Sequence, residues 1–328
     1  MKRIHAFEAS MSGPADNSSE KLGPTFAAVE TTRIEVHNFE TMTLINKQFL
    51  MGAKEGVPAR IGGALYLPTG TERVAAVVLL HGSGGIGANV DRWARQLNGI
   101  GVAAFVLDSF TGRGIVETIT DQSQLGHLAM ILDAYRALKH LSDHRRIDPS
   151  RIAAMGFSKG GSAALYASLT RFQAMHRPEG AEFSGYLALY PQCNTSYLED
   201  ERTSDRPIRL FHGTADNYVS IEPCRSYVGR LRRAGSNVEL TEYPGAHHVF
   251  DNPVYSPPRT LPDAVTTIQC SLEERAVGEI VHAGTGSEFT WSDACVKRGA
   301  TVGYDPAATT AATRAVKASL FEWFGLSA

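Results

Sequence analysis

Long apolar runs are missing from this chain of 328 residues. The longest, Val74 to Leu80, falls far short of the roughly 20 residues that a membrane-crossing helix needs, so no membrane span is expected. Dense blocks of one charge are missing too. With 32 Lys and Arg against 34 Asp and Glu the net charge is −2, which offers no basic footprint for a nucleic-acid partner. Cysteine is scarce. The four residues, Cys193, Cys224, Cys270 and Cys295, include no Cys-x-x-Cys, which argues against a zinc or dithiol redox centre. The start, Met1-Lys2-Arg3-Ile4-His5, has basic residues with no apolar stretch behind them, so no signal peptide is visible. Internal repeats are absent as well.

What remains has the composition of a soluble globular protein, 43% apolar and 20% charged. Residues 1–30 read as a tail or wrapping segment, with Ser12-Gly13-Pro14 and Asn17-Ser18-Ser19 as loop signals. Residues 31–328 read as one domain. Thr43 to Leu50 and Ala59 to Leu67 read as two strands joined by a turn at Glu55-Gly56-Val57-Pro58, an antiparallel hairpin. Apolar runs at Val74–Leu80, Val102–Leu107, Gly185–Tyr190 and Ile208–His212 then suit strands buried on both faces of a mainly parallel sheet. Between them apolar residues recur at helical spacing, as in Leu125, Leu128, Leu132, Tyr135 and Leu138. Alternation of this kind predicts a doubly wound α/β fold. Residues 251–303 break the rhythm with Pro, Thr and Gly and are expected as an insertion near the site, before a closing helix over Thr309–Phe324.

The most informative stretch is Arg151 to Ala164, a short apolar strand running through Gly156-Phe157-Ser158-Lys159-Gly160 into a helix of small residues. This is the nucleophile-elbow pattern, in which a strained turn exposes a serine hydroxyl at the sheet edge. Alone it is weak, since roughly one chain in ten of this length carries it by chance. Context strengthens it. Open α/β sheets place reactive groups at the carboxyl ends of strands, and three other ends carry Gly82-Ser83-Gly84-Gly85, His212-Gly213-Thr214-Ala215-Asp216 and Gly245-Ala246-His247-His248.

Serine is a poor nucleophile near neutral pH and needs an imidazole to take its proton, with a buried carboxylate to fix the imidazole tautomer. Ser158, then Asp216, then His247 or His248 supply those types in the α/β-hydrolase order. Asp251 is the fallback acid. The backbone N–H groups of Ser83 and Lys159 are candidates for an oxyanion hole, with the Lys159 charge expected in solvent. His81 and His212 are expected to be structural. Arg113 is expected as an exposed loop arginine, with an anchor for an acidic substrate as the alternative.

The segments His81-Gly82-Ser83-Gly84-Gly85, Gly156-Phe157-Ser158-Lys159-Gly160-Gly161, Gly213-Thr214-Ala215-Asp216 and Tyr243-Pro244-Gly245-Ala246-His247-His248-Val249-Phe250 resemble the dienelactone hydrolase family, a branch of the α/β-hydrolases. The likeness spans roughly residues 60 to 250. It implies the α/β-hydrolase fold. The family ends its last catalytic loop Gly-Ala-x-His-x-Phe, which selects His248, and its oxyanion donors match Ser83 and Lys159. One departure matters: the founding enzymes use a cysteine nucleophile on a dienelactone, whereas this chain has Ser158. A carboxylesterase working through an acyl-enzyme on a small-molecule ester, without metal or organic cofactor, is therefore expected. A peptidase or amidase, or a silent binding scaffold, is the alternative. The segment with Cys270 and Cys295 resembles the C-terminal part of exported relatives, which implies that pairing. Cys193 and Cys224 follow successive strands and could also meet. Paired cysteines imply an exported or periplasmic protein, unpaired ones a cytoplasmic protein.

Overall fold

The computed structural model describes residues 31–326, so the expected tail lies outside the described residues. Strands β1 (Thr31–Thr43) and β2 (Val57–Pro68) pair antiparallel, and helix α1 (Asn46–Leu50) lies between them. The hairpin exists, but Thr43–Leu50 is not its first strand. Leu44, Phe49 and Leu50 are buried while Ile45 is exposed, the one-sided pattern of a short helical turn. The true first strand alternates Glu35, His37, Phe39 and Thr41 inward with more exposed neighbours. Its polar inner face hides the strand from a hydrophobicity count.

Next come β3 (Val74–Leu80), α2 (Ala88–Asn98), β4 (Ala103–Asp108), α3 (His127–Ser142), β5 (Ile147–Phe157), α4 (Lys159–Tyr166), α5 (Thr170–His176) and β6 (Tyr186–Leu189). They are followed by β7 (Thr195–Ser196), β8 (Ile208–Gly213), α6 (Ile221–Arg233) and β9 (Val238–Tyr243). Eight of these strands form one sheet in the order β1-β2-β4-β3-β5-β6-β8-β9, parallel from β4 onward. Residues 251–303 carry β10 (Arg259–Thr266), β11 (Leu272–Ala276), β12 (Glu279–His282) and β13 (Lys297–Val302), and α7 (Pro306–Phe324) closes the chain. Strands β10 and β13 pair with each other, while β11 joins β7 and β12.

Burial of both faces explains the unbroken apolar runs. In β3, Ala76, Val78 and Leu80 face one core with α3, α4 and α6. Its alternate residues Ala75, Val77 and Leu79 face a second core with α2 and α7. Cys193 meets Cys224 with Cα atoms 5.0 Å apart, joining the loop after β6 to α6. Cys270 meets Cys295 at 5.1 Å, closing the segment that holds β11 and β12. Among the described residues no helix is long and apolar enough to cross a membrane.

Candidate active site

Ser158 stands between the end of β5 and the start of α4 at φ 53°, ψ −117°, a backbone state that a non-glycine residue holds only under strain. Close approach explains the flanking glycines. A Cβ on Gly156 would lie 1.9 Å from the Gly160 carbonyl oxygen, and one on Gly160 would lie 2.1 Å from that of Leu80. The elbow therefore forms only where those side chains are absent. Ser158 N donates to Leu189 O on the neighbouring strand, fixing the turn against the sheet.

Two further strand ends converge on it. The Ser158 hydroxyl lies 2.9 Å from His248 Nε2, and His248 Nδ1 lies 2.6 Å from Asp216 Oδ2. Asp216 Oδ1 accepts from the Tyr218 and Val219 N–H groups at 2.9 and 2.8 Å, so the carboxylate cannot turn away. A neutral imidazole carries one proton. With Nδ1 facing the carboxylate, Nε2 is left to accept from the hydroxyl. The loops that carry Asp216 and His248 touch directly: a Cβ on Gly213 would lie 2.2 Å from Ala246 O. His247, the competing histidine, sits 3.2 Å from Ala215 O through Nδ1 and joins the same two loops.

The His248 ring is wedged between Tyr190 and Tyr218, at centroid distances of 4.8 and 4.9 Å. Asp251, the fallback acid, is fully buried elsewhere, accepting from Tyr190 Oη and Trp93 Nε1 at 2.7 Å each. Burial raises its pKa against those hydrogen bonds. It holds Tyr190 in place and makes no hydrogen bond to His248. Tyr190 was missed in the sequence, although it stands at the carboxyl end of β6, where the strand-end rule points.

The Gly82-Ser83 turn passes beside the serine: a Cβ on Gly82 would lie 3.3 Å from Ser158 Cβ. Among the described residues neither Ser83 N–H nor Lys159 N–H has a protein acceptor. Thr118 ties the two together, donating its N–H to Ser83 O at 2.7 Å and accepting from Lys159 Nζ at 2.7 Å. Lys159 Nζ also donates to Leu125 O at 2.6 Å. The expectation of a solvated Lys159 charge is thus corrected. Burial pushes this amine down to about 7, against the nearby charges of Asp121 and Glu117, because its close partners are neutral oxygens. Arg113 is corrected too. Its guanidinium is buried in a two-point ion pair with Asp133, at 2.7 and 2.9 Å, and is neither an exposed loop residue nor a substrate anchor.

His81 and His212 are buried supports, as expected. His81 Nδ1 donates to Gly82 O at 2.8 Å and Nε2 accepts from Ser109 N at 3.2 Å. Burial lowers the pKa of both rings.

Ser158, Ser83 and Tyr218 line two adjoining spaces. The larger, about 910 Å³ counting its open mouth, is walled by Tyr166, Tyr197, Leu272, Ile280, Phe289 and Trp291. The smaller, about 570 Å³, runs past His248 towards Tyr255, Leu261 and Val302. Residues 259–302 thus supply much of the apolar wall, which no sequence motif announces.

Residues 61–276 match the sequence profile of the dienelactone hydrolase family. The chain belongs to that family. An acyl-protein thioesterase 1 of Neurospora crassa is 25% identical to this dienelactone hydrolase family member over 209 residues, 56% of this chain and 84% of that protein. A Bradyrhizobium protein named as a probable 2-oxo-3-(5-oxofuran-2-ylidene)propanoate lactonase is 26% identical over 202 residues, 57% of this chain and 77% of the other. In fold, the chain is similar to a dienelactone hydrolase-like promiscuous phosphotriesterase from metagenomic libraries. That likeness has a TM-score of 0.56 at 17% identity and covers 89% of this chain and 99% of the other. The architecture is the α/β-hydrolase fold, and this dienelactone hydrolase family member is a hydrolase of ester-type bonds.

Proposed function

We propose that the chain is a serine carboxylesterase working through an acyl-enzyme. The observation that supports it best is the unbroken relay from Ser158 Oγ through His248 to Asp216, at 2.9 and 2.6 Å. In this reading the Ser158 hydroxyl attacks the ester carbonyl as its proton passes to His248 Nε2. Asp216 stabilises the imidazolium that forms. The Ser83 and Lys159 N–H groups, lacking protein acceptors, hold the oxyanion of the tetrahedral intermediate. Collapse expels the alcohol, which takes the proton from His248. Water then attacks the acyl-serine with the same base, releasing the acid and restoring Ser158. Thioester and lactone bonds, in the names of the two relatives, fit the same acyl-transfer chemistry.

The two spaces that meet at Ser158 fit an ester with one large apolar group and one smaller group. Residues 31–328 act in this reading as one domain, with 251–303 inserted to wall the cleft. Paired cysteines suit an exported or periplasmic setting. The test is hydrolysis of p-nitrophenyl esters of graded chain length. Ser158→Ala is expected to lower kcat by at least about 10⁴-fold, and equal rates in the two proteins overturn the proposal.

A further inference from the structure

Away from the cleft, on a strand four places from β5 in the sheet order, β1 and the end of α3 gather four ionisable side chains. The two-residue period of a strand puts Glu35 and His37 on the inner face of β1. His140, in the last turn of α3, and His144, just past the cap Asp143, stand opposite them. All four are partly buried. His144 Nε2 and His37 Nε2 approach the same atom, Glu35 Oε2, at 3.0 and 3.2 Å. Glu35 Oε1 is taken by Arg33 at 2.8 Å. On the other side of the His37 ring, Nδ1 lies 2.9 Å from His140 Nε2.

His37 Nε2 is the telling atom. It is buried and makes no hydrogen bond, although a carboxylate oxygen lies 3.2 Å away. In the tautomer in which Nδ1 donates to His140, Nε2 turns a bare lone pair towards an oxygen that also has only lone pairs. A cation between them satisfies both. One donor atom each from Glu35, His37 and His144 falls within 4.8 Å of the other two. Tetrahedral ligation at the usual zinc bond lengths sets neighbouring donors about 3.3 Å apart, close to the two short separations here.

We propose that Glu35, His37 and His144 ligate one divalent transition-metal ion, best matched by zinc, with His140 fixing the His37 tautomer from outside. Two imidazoles and a carboxylate suit zinc, cobalt or nickel, whereas calcium and magnesium take oxygen ligands. An accepting group on the far ring nitrogen is how metal-bound histidines are held. Ligation exchanges two contacts for metal bonds: the His144 Nε2–H bond to Glu35 Oε2 at 3.0 Å, and the Arg146 N–H bond to His144 Nδ1 at 3.2 Å, where the metal-bound ring carries its proton. The ion would clamp the edge strand β1 to α3.

The experiment is calorimetric titration of Zn²⁺ into the chelator-stripped full chain, paired with Co²⁺ absorption spectra. One equivalent with a dissociation constant of about 1 µM or tighter is expected, and Co²⁺ should give the intense visible bands of a four-coordinate site. His37→Ala and His144→Ala should each weaken binding by about 100-fold or more, and His140→Ala by about 10-fold. His282→Ala, at the separate His282–Asp293 pair, should leave the stoichiometry unchanged. Wild type that takes up no Zn²⁺ at about 100 µM overturns the proposal, and so does an equivalent that survives His37→Ala combined with His144→Ala. Because the wild-type titration decides the first point alone, poor folding of a variant does not shield the proposal.

Discussion

The two halves of the cleft are made differently. One is built from the ends of β3, β5, β8 and β9, where backbones pass so closely that Gly156, Gly160 and Gly213 have no room for a Cβ. The other comes from residues 259–302, where short strands are stapled by Cys270–Cys295 and present Leu272, Ile280, Phe289 and Trp291 to the cleft. The first half sits on a sheet whose faces are both covered by core. The second rests on small two- and three-stranded sheets. Under the proposed function, chemistry occupies the part with least freedom to move, and substrate selection the part with most freedom to vary. The halves are not independent, because Gly303 N donates to His248 O at 3.1 Å.

That contrast can be broken by substitution. Asp216→Asn should act on chemistry alone. An amide in place of the carboxylate no longer fixes the His248 tautomer, so kcat for a p-nitrophenyl ester should fall by about 10³- to 10⁴-fold with KM little changed. Cys270→Ser should act on the wall. Opening a bridge with a sequence separation of 25 should lower unfolding stability by about 3 kcal/mol in chemical denaturation. It should also raise KM for bulky esters more than it lowers kcat. Thiol titration of the denatured, unreduced wild type checks the premise and should read zero.

Lys159→Met gives the smallest and most specific effect. The amine has a folded pKa of about 7 and an unfolded value of about 10.4. Between those values the unfolded chain holds the extra proton, so wild-type stability should rise with pH relative to the methionine variant. Below about pH 7 the two curves should run parallel. Denaturant midpoints measured from pH 6 to pH 10 would show it, and a flat difference would return Lys159 to solvent.

The same contrast marks what the sequence made legible. Strands buried on both faces appear as unbroken apolar runs, so the sheet from β3 to β8 could be read directly. Ser158, Asp216 and His248 follow from a glycine pattern and strand ends, both local features. β1 could not be read so, because its inner face carries Glu35 and His37 against α3, a pairing set by tertiary packing. Arg113 was misread for the same reason: its partner Asp133 is local neither in strand nor in helix period. Lys159 was misjudged because Thr118 and Leu125 come from a loop whose path no motif fixes. The wall residues Phe289 and Trp291 carry no reactive group and left no signature.

The most direct test of the account is mass spectrometry of the full chain after treatment with a fluorophosphonate. A single adduct on the peptide containing Ser158, formed as esterase activity is lost, is the predicted result. Undiminished activity in fully labelled protein, or an adduct on another residue that accounts for the loss, would contradict it.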